Sequence, residues 1–181
     1  MEAERVKVLL QEADAHYKQG DLDAALKAYR EVLAEDDTVA WAYSRIGAIL
    51  AQFGDQEAAE ESLHKAIELD PTLPQAHSNL GNIYYARGDY QRALEKYQEA
   101  VRLDPHQPVY YENLHAANKQ LGRIGDAVAA LKKAQRLYQE NAREEARSRL
   151  REARANLGGR GCLGTAALVL LPVILLIAAL I

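Results

Sequence analysis

Cysteine is almost missing from this chain. Cys162 is the only one in 181 residues, which excludes an intramolecular disulfide and suits a reducing compartment. No run of alternating apolar and polar residues marks a strand, so an all-α fold is expected. The five histidines, His16, His64, His77, His106 and His115, lack metal-ligand spacing. Neither a glycine-rich phosphate loop nor a nucleophile elbow is present. No metal, no cofactor and no enzymatic activity are therefore expected. A basic surplus is lacking too. Net charge is −4, and six arginines against three glutamates fall within residues 142–160, which leaves the preceding residues more acidic still. Nucleic acid, whose phosphates call for a basic surface, is not an expected partner. The opening residues, Met1-Glu-Ala-Glu-Arg, are charged, so no secretory leader is expected.

Glycine, by contrast, is placed with regularity. Gly20, Gly54, Gly88 and Gly122 recur every 34 residues. In the same frame lie Ala25, Ala59, Ala93 and Ala127, then Tyr29, Leu63, Tyr97 and Leu131, then Val32, Ala66, Ala100 and Ala134. Small residues that admit close helix approach thus alternate with large ones that fill the space between units. A 34-residue period is that of a helical hairpin stacking on its neighbours, each unit burying a face that it could not bury alone. Ile46, Ile49, Leu50 and Phe53 keep helical spacing, and Gly-Asp pairs interrupt the pattern where the chain reverses. Proline disfavours helix in the residue before it, so Asp70 and Asp104, before Pro71 and Pro105, are expected to end helices.

Trp41-Ala-Tyr-Ser-Arg-Ile-Gly47 and His77-Ser-Asn-Leu-Gly81-Asn-Ile-Tyr-Tyr85 resemble the first helix of the tetratricopeptide repeat family. Gly88-Asp89-Tyr90 and Ala93 to Ala100 resemble its turn and second helix. The resemblance implies an α-solenoid of about four hairpins within residues 1–141, with units near 6–39, 40–73, 74–107 and 108–141. The first unit departs mildly, with Asp37 for proline and Ala13 for the close-packing glycine. The fourth departs more, with His115 for that glycine and Asn118 where Tyr84 stands, so its first helix is expected to pack less closely. In this family the first helices line a concave groove that binds protein segments. Gln11, Arg45, Asn79 and Asn113 fall there in one register, with Asn82 one turn further on and Tyr17, Trp41 and Tyr85 as aromatic anchors. Amides both donate and accept, which suits an extended partner backbone. Asn79 matches a residue of the family's carboxylate-clamping arrays, but Ser44, Ala48 and Val109 occupy the other clamp positions, so no such clamp is expected.

Residues 142–157 continue the last repeat helix as an Arg-rich stalk or, if broken near Asn141, as a capping helix. Unbroken from Asp126 to Leu157 it would reach about 48 Å. Gly158 to Gly161 read as a flexible junction. The final twenty residues, 162–181, carry no charge and match the roughly 20 helical residues that cross a bilayer. Arg143, Arg147, Arg149, Arg151, Arg154 and Arg160 precede them, where positive charge fixes orientation. The expectation is a tail-anchored, single-pass membrane protein with its repeats in the cytoplasm, in a bacterial plasma membrane or a eukaryotic endomembrane. Its expected role is that of an adaptor, binding a partner segment in the groove and the bilayer through its end. The alternative is a self-assembling scaffold, or a stabilising subunit of a membrane complex.

Overall fold

A computed structural model describes residues 2–158. Among them are eight α-helices: α1 (Glu2–Gln19), α2 (Leu22–Glu35), α3 (Ala40–Phe53), α4 (Gln56–Leu69), α5 (Pro74–Ala86), α6 (Tyr90–Leu103), α7 (Pro108–Gln120) and α8 (Ile124–Gly158). They pair as four successive hairpins, and the repeat unit extends to Leu137.

Each hairpin turn is a stop followed by a start. Gly20, Gly54, Gly88 and Gly122 have φ between +71° and +89°, a left-handed conformation that costs side-chain-bearing residues about 1–2 kcal/mol. Asp21, Asp55 and Asp89 then cap the next helix, accepting from the backbone N–H of Ala24, Ala58 and Arg92 at 3.1 Å. Between hairpins a different device operates. Asp70 accepts from the backbone N–H of Thr72 at 2.9 Å and from its hydroxyl at 2.7 Å. Asp36 makes the same pair of bonds with Thr38, which explains why Asp37 can replace the proline there. Pro74 and Pro108 open α5 and α7 at a position where the missing N–H is not needed.

The phased residues form the core. Ala25, Ala59 and Ala93 are wholly buried, as are Tyr29, Leu63, Val32, Ala66 and Ala100. An added Cβ at Gly47 would lie 2.6 Å from Leu63 Cγ, and one at Gly81 would lie 2.5 Å from Tyr97 Cε1. These glycines are therefore required by the approach of α4 to α3 and of α6 to α5. In the fourth unit His115 stands at this place, and its Nδ1 donates to the Ala127 carbonyl at 2.9 Å. The facing residue is Leu131, which unlike Tyr97 stays partly exposed. Phe53, read as part of the apolar pattern, is about half exposed at the end of α3.

Two tyrosines make the core sensitive to alkali. Burial raises the hydroxyl pKa of both Tyr29 and Tyr97 far above the ordinary 10.0, and for Tyr29 the hydrogen bond to Asp14 adds to it. A folded-state pKa raised above the unfolded value gives stability that is complete below about pH 10 and is lost as pH rises beyond it. The melting midpoint is expected to stay level from about pH 7 to 9 and to fall above pH 10, with a smaller fall in Tyr29→Phe, in thermal melts followed by circular dichroism.

α8 runs from Ile124 to Gly158 as one helix, without a break near Asn141. From Tyr138 to Ala155 every side chain is exposed, and Arg149 pairs with Glu145 at 3.6 Å. Arg143, Arg147, Arg151 and Arg154 lie on this exposed stretch. Apart from Gly158, the junction 158–161 with Arg160 and the apolar segment 162–181 lie outside the described residues. The single-pass membrane placement is corrected: no helix among the described residues is long and apolar enough to cross a membrane. The physical reason is composition, since α8, although 35 residues long, is charged throughout its second half.

Candidate functional site

Of the expected polar register, Arg45 is the residue packed against aromatic rings of both α1 and α3. Arg45, on α3, places its guanidinium 4.1 Å from the ring centroid of Trp41 and 4.5 Å from that of Tyr17 on α1. Such cation–π contacts are each worth roughly 0.5–1 kcal/mol when exposed and more when desolvated. Three of the predicted residues thus form one cluster.

Asp14 organises it. Its Oδ1 accepts from the Tyr29 hydroxyl and, at 3.1 Å, from Trp41 Nε1. The same oxygen lies 4.0 Å from Arg45 Nε, a charge contact rather than a hydrogen bond. Arg45 Nε itself is buried without a hydrogen-bond partner. One carboxylate therefore joins α1, α2 and α3 and sets the indole and guanidinium in place. Sequence reasoning missed Asp14, although a signal existed: it lies 68 residues, two periods, before Asn82. Asn82 Oδ1 accepts from the Tyr97 hydroxyl at 2.8 Å, so Asn82 and Tyr97 repeat the relation of Asp14 and Tyr29. The second and fourth units have Ala48 with Leu63 and Ala116 with Leu131 in those places. Polar and apolar pairs alternate from unit to unit.

The rest of the register is divided between free and engaged groups. Gln11 is exposed on α1, and Asn79 is half-buried on α5. Asn113 donates from Nδ2 to Ser78 Oγ at 3.1 Å. Tyr85 stands away from the Arg45 cluster, its ring edge-on to Tyr90 at 5.1 Å and its hydroxyl accepting from Gln120 at 3.3 Å. Tyr110 belongs to the same face and was also missed. Burial, reinforced by the Asp104 charge and opposed by that of Arg45, pushes its hydroxyl up to about 12.

His77 donates from Nε2 to the Pro71 carbonyl at 2.9 Å, and His115 is committed to Ala127. Among the described residues no His, Cys, Asp or Glu side chains gather as a metal would require. What the face offers is guanidinium N–H groups, carboxamides and aromatic edges.

Stacked helical hairpins with a polar first-helix face define a class of protein–protein interaction modules. The family model for the TPR repeat matches residues 13–54, 47–86 and 81–122, more than half of the chain, which belongs to the tetratricopeptide repeat family. No curated protein matches it significantly. Among solved structures, the crystal structure of MamA is 25% identical, with a TM-score of 0.65, over 76% of this chain and 81% of that one. A MamA RS-1 ArsTM double mutant is 24% identical over 75% and 76% of the two chains, with a TM-score of 0.62, and shows the fold alone. A Thermobaculum terrenum O-GlcNAc transferase mutant is 28% identical over 65% of this chain, with a TM-score of 0.63, but the match spans only 23% of the transferase.

Proposed function

We propose that the chain is a non-catalytic adaptor whose first-helix face binds an extended segment of a partner protein. The observation that supports this best is the Arg45 cluster. A guanidinium within 4.5 Å of both the Tyr17 and Trp41 ring centroids is already restrained, so little side-chain entropy is lost when a partner carbonyl is bound. Asn79 and Asn113 extend the donor–acceptor row, and Gln11 stands at its start. The groove so described runs along the first helices of all four units.

A second reading, self-assembly of the chain, has its own support. Val8 is 53% exposed, whereas Ala42, Ala76 and Tyr110, at the same register, are buried. Val128 is 44% exposed, whereas Leu26 and Leu94 are buried. Each end of the array presents apolar residues that an adjoining unit covers elsewhere.

Capture from the source cell's extract separates the two. The full chain and an Arg45→Met, Asn79→Ala, Asn113→Ala variant of matched helical content serve as baits. A protein retained by the native bait and lost, by about tenfold or more, with the variant is the expected result. Recovery of the same partners by both baits would remove the groove reading. Recovery of this chain alone would favour self-assembly.

A further inference from the structure

Away from the Arg45 face, α6, α7 and α8 enclose a cleft of about 430 Å³. Its origin is visible one unit earlier. There the ring of Tyr84 fills the corresponding place and is 5% exposed, with the Arg92 guanidinium 4.6 Å from its centroid. Burial and, after it, the nearby Glu60 charge raise the pKa of its hydroxyl. In the fourth unit Asn118 replaces Tyr84 and turns its amide back to the Leu114 carbonyl at 2.9 Å. The rim is also trimmed, with Ala129 and Ala130 where Glu95 and Lys96 stand. Leu94 stands in place of Glu60, so the carboxylate that neighbours Tyr84 is not repeated at that position. The vacant volume therefore has the position of an aromatic ring and walls of Leu114, Ala129 and Ala130.

Charge at the rim selects what accompanies the ring. The Arg123 guanidinium donates to the neutral Gln91, at 3.1 Å. Lys133 lies 5.9 Å from the Tyr111 centroid, and neither cation has an ion pair among the described residues. Two cations face one carboxylate, Asp126, on the lining of a cleft in a chain of net charge −4. The related cleft of the second unit is different, because its Lys65 is neutralised by Glu68 at 3.2 Å. We propose that the cleft between α6, α7 and α8 is a second binding site, which takes an aromatic side chain flanked by a carboxylate on an acidic partner segment. It does not depend on the Arg45 face.

N-acetyl-phenylalanine and N-acetyl-phenylalaninamide test the ring and the charge separately on the ¹⁵N-labelled full chain. Both are expected to give saturable amide shifts at Ala129 and Ala130. The acid should bind about threefold more tightly at low salt, and that preference should disappear in Lys133→Ala. Asn118→Tyr should supply the ring internally, abolish the shifts and raise the melting midpoint, while Arg45→Met should leave them unchanged. If Asn118→Tyr loses helical content, Ala130→Ile closes the same cleft from α8 and takes its place. Absence of saturable shifts at Ala129 and Ala130, their persistence in the filled variant, or equal binding of acid and amide would overturn the proposal.

Discussion

Asp14→Ala is expected to lower the stability of the array by about 1–3 kcal/mol and to disable the Arg45 face. The Tyr29 hydroxyl is fully buried and donates to Asp14. Removing its acceptor leaves a buried donor unsatisfied, which costs on the order of 1–3 kcal/mol. Trp41 Nε1 and the half-buried Arg45 lose their partner at the same time. Asp14→Asn provides the control, because Asn82 already serves Tyr97 in this way at 2.8 Å. The amide keeps an acceptor and gives up only the charge, so its loss should stay below about 1 kcal/mol on the scale of a surface ion pair. Denaturant melts of the two variants decide the matter. Equal losses would mean that the charge of Asp14, and not its hydrogen bonds, holds the junction.

Gly81→Val is expected to be at least as damaging, by about 1–3 kcal/mol, as overfilled cores typically are. The first added carbon already falls 2.5 Å from the Tyr97 ring, which is 2% exposed and held by Asn82. Gly88→Ala makes the comparison useful. There a Cβ meets nothing within 4 Å, and only the φ of +79° opposes it, for about 1–2 kcal/mol. Thermal melts should rank Gly81→Val below Gly88→Ala, with each kcal/mol lowering the midpoint by about 2–4 °C in a chain of this size. The reverse order would show that α5 and α6 can separate without penalty.

Much of the fold was legible because it rests on backbone rules. A glycine every 34 residues, each followed closely by a capping aspartate in three turns, marks the hairpins whatever the side chains around them do. Proline was less informative, since Pro74 and Pro108 start helices at positions that the pattern of Pro71 and Pro105 did not suggest. The site was legible only as a register. Position assigned Arg45, Trp41 and Tyr17 to one face. That the guanidinium lies between the two rings depends on rotamers, which spacing does not specify. Asp14 escaped notice because a lone carboxylate on an edge helix reads as solvated surface, until its two-period relation to Asn82 is considered. The length of α8 was left open because no glycine or proline between Asp126 and Leu157 decides for or against a break. The single-pass placement came from residues 162–181, outside the described residues, while the helices that are described include none able to span a membrane.

The central claim is that a partner segment lies along the first helices over the Arg45 cluster. Trp41 is the only tryptophan in the chain and forms one wall of that cluster, so its emission reports on this place alone. Titration of the full chain with the captured partner, followed at Trp41 with acrylamide as quencher, is the most direct measurement. A saturable change in emission with reduced quenching, absent in the Arg45→Met, Asn79→Ala, Asn113→Ala variant, is the result predicted. Binding that proceeds to saturation while Trp41 emission and quenching stay constant would contradict the claim and move the interface to another face.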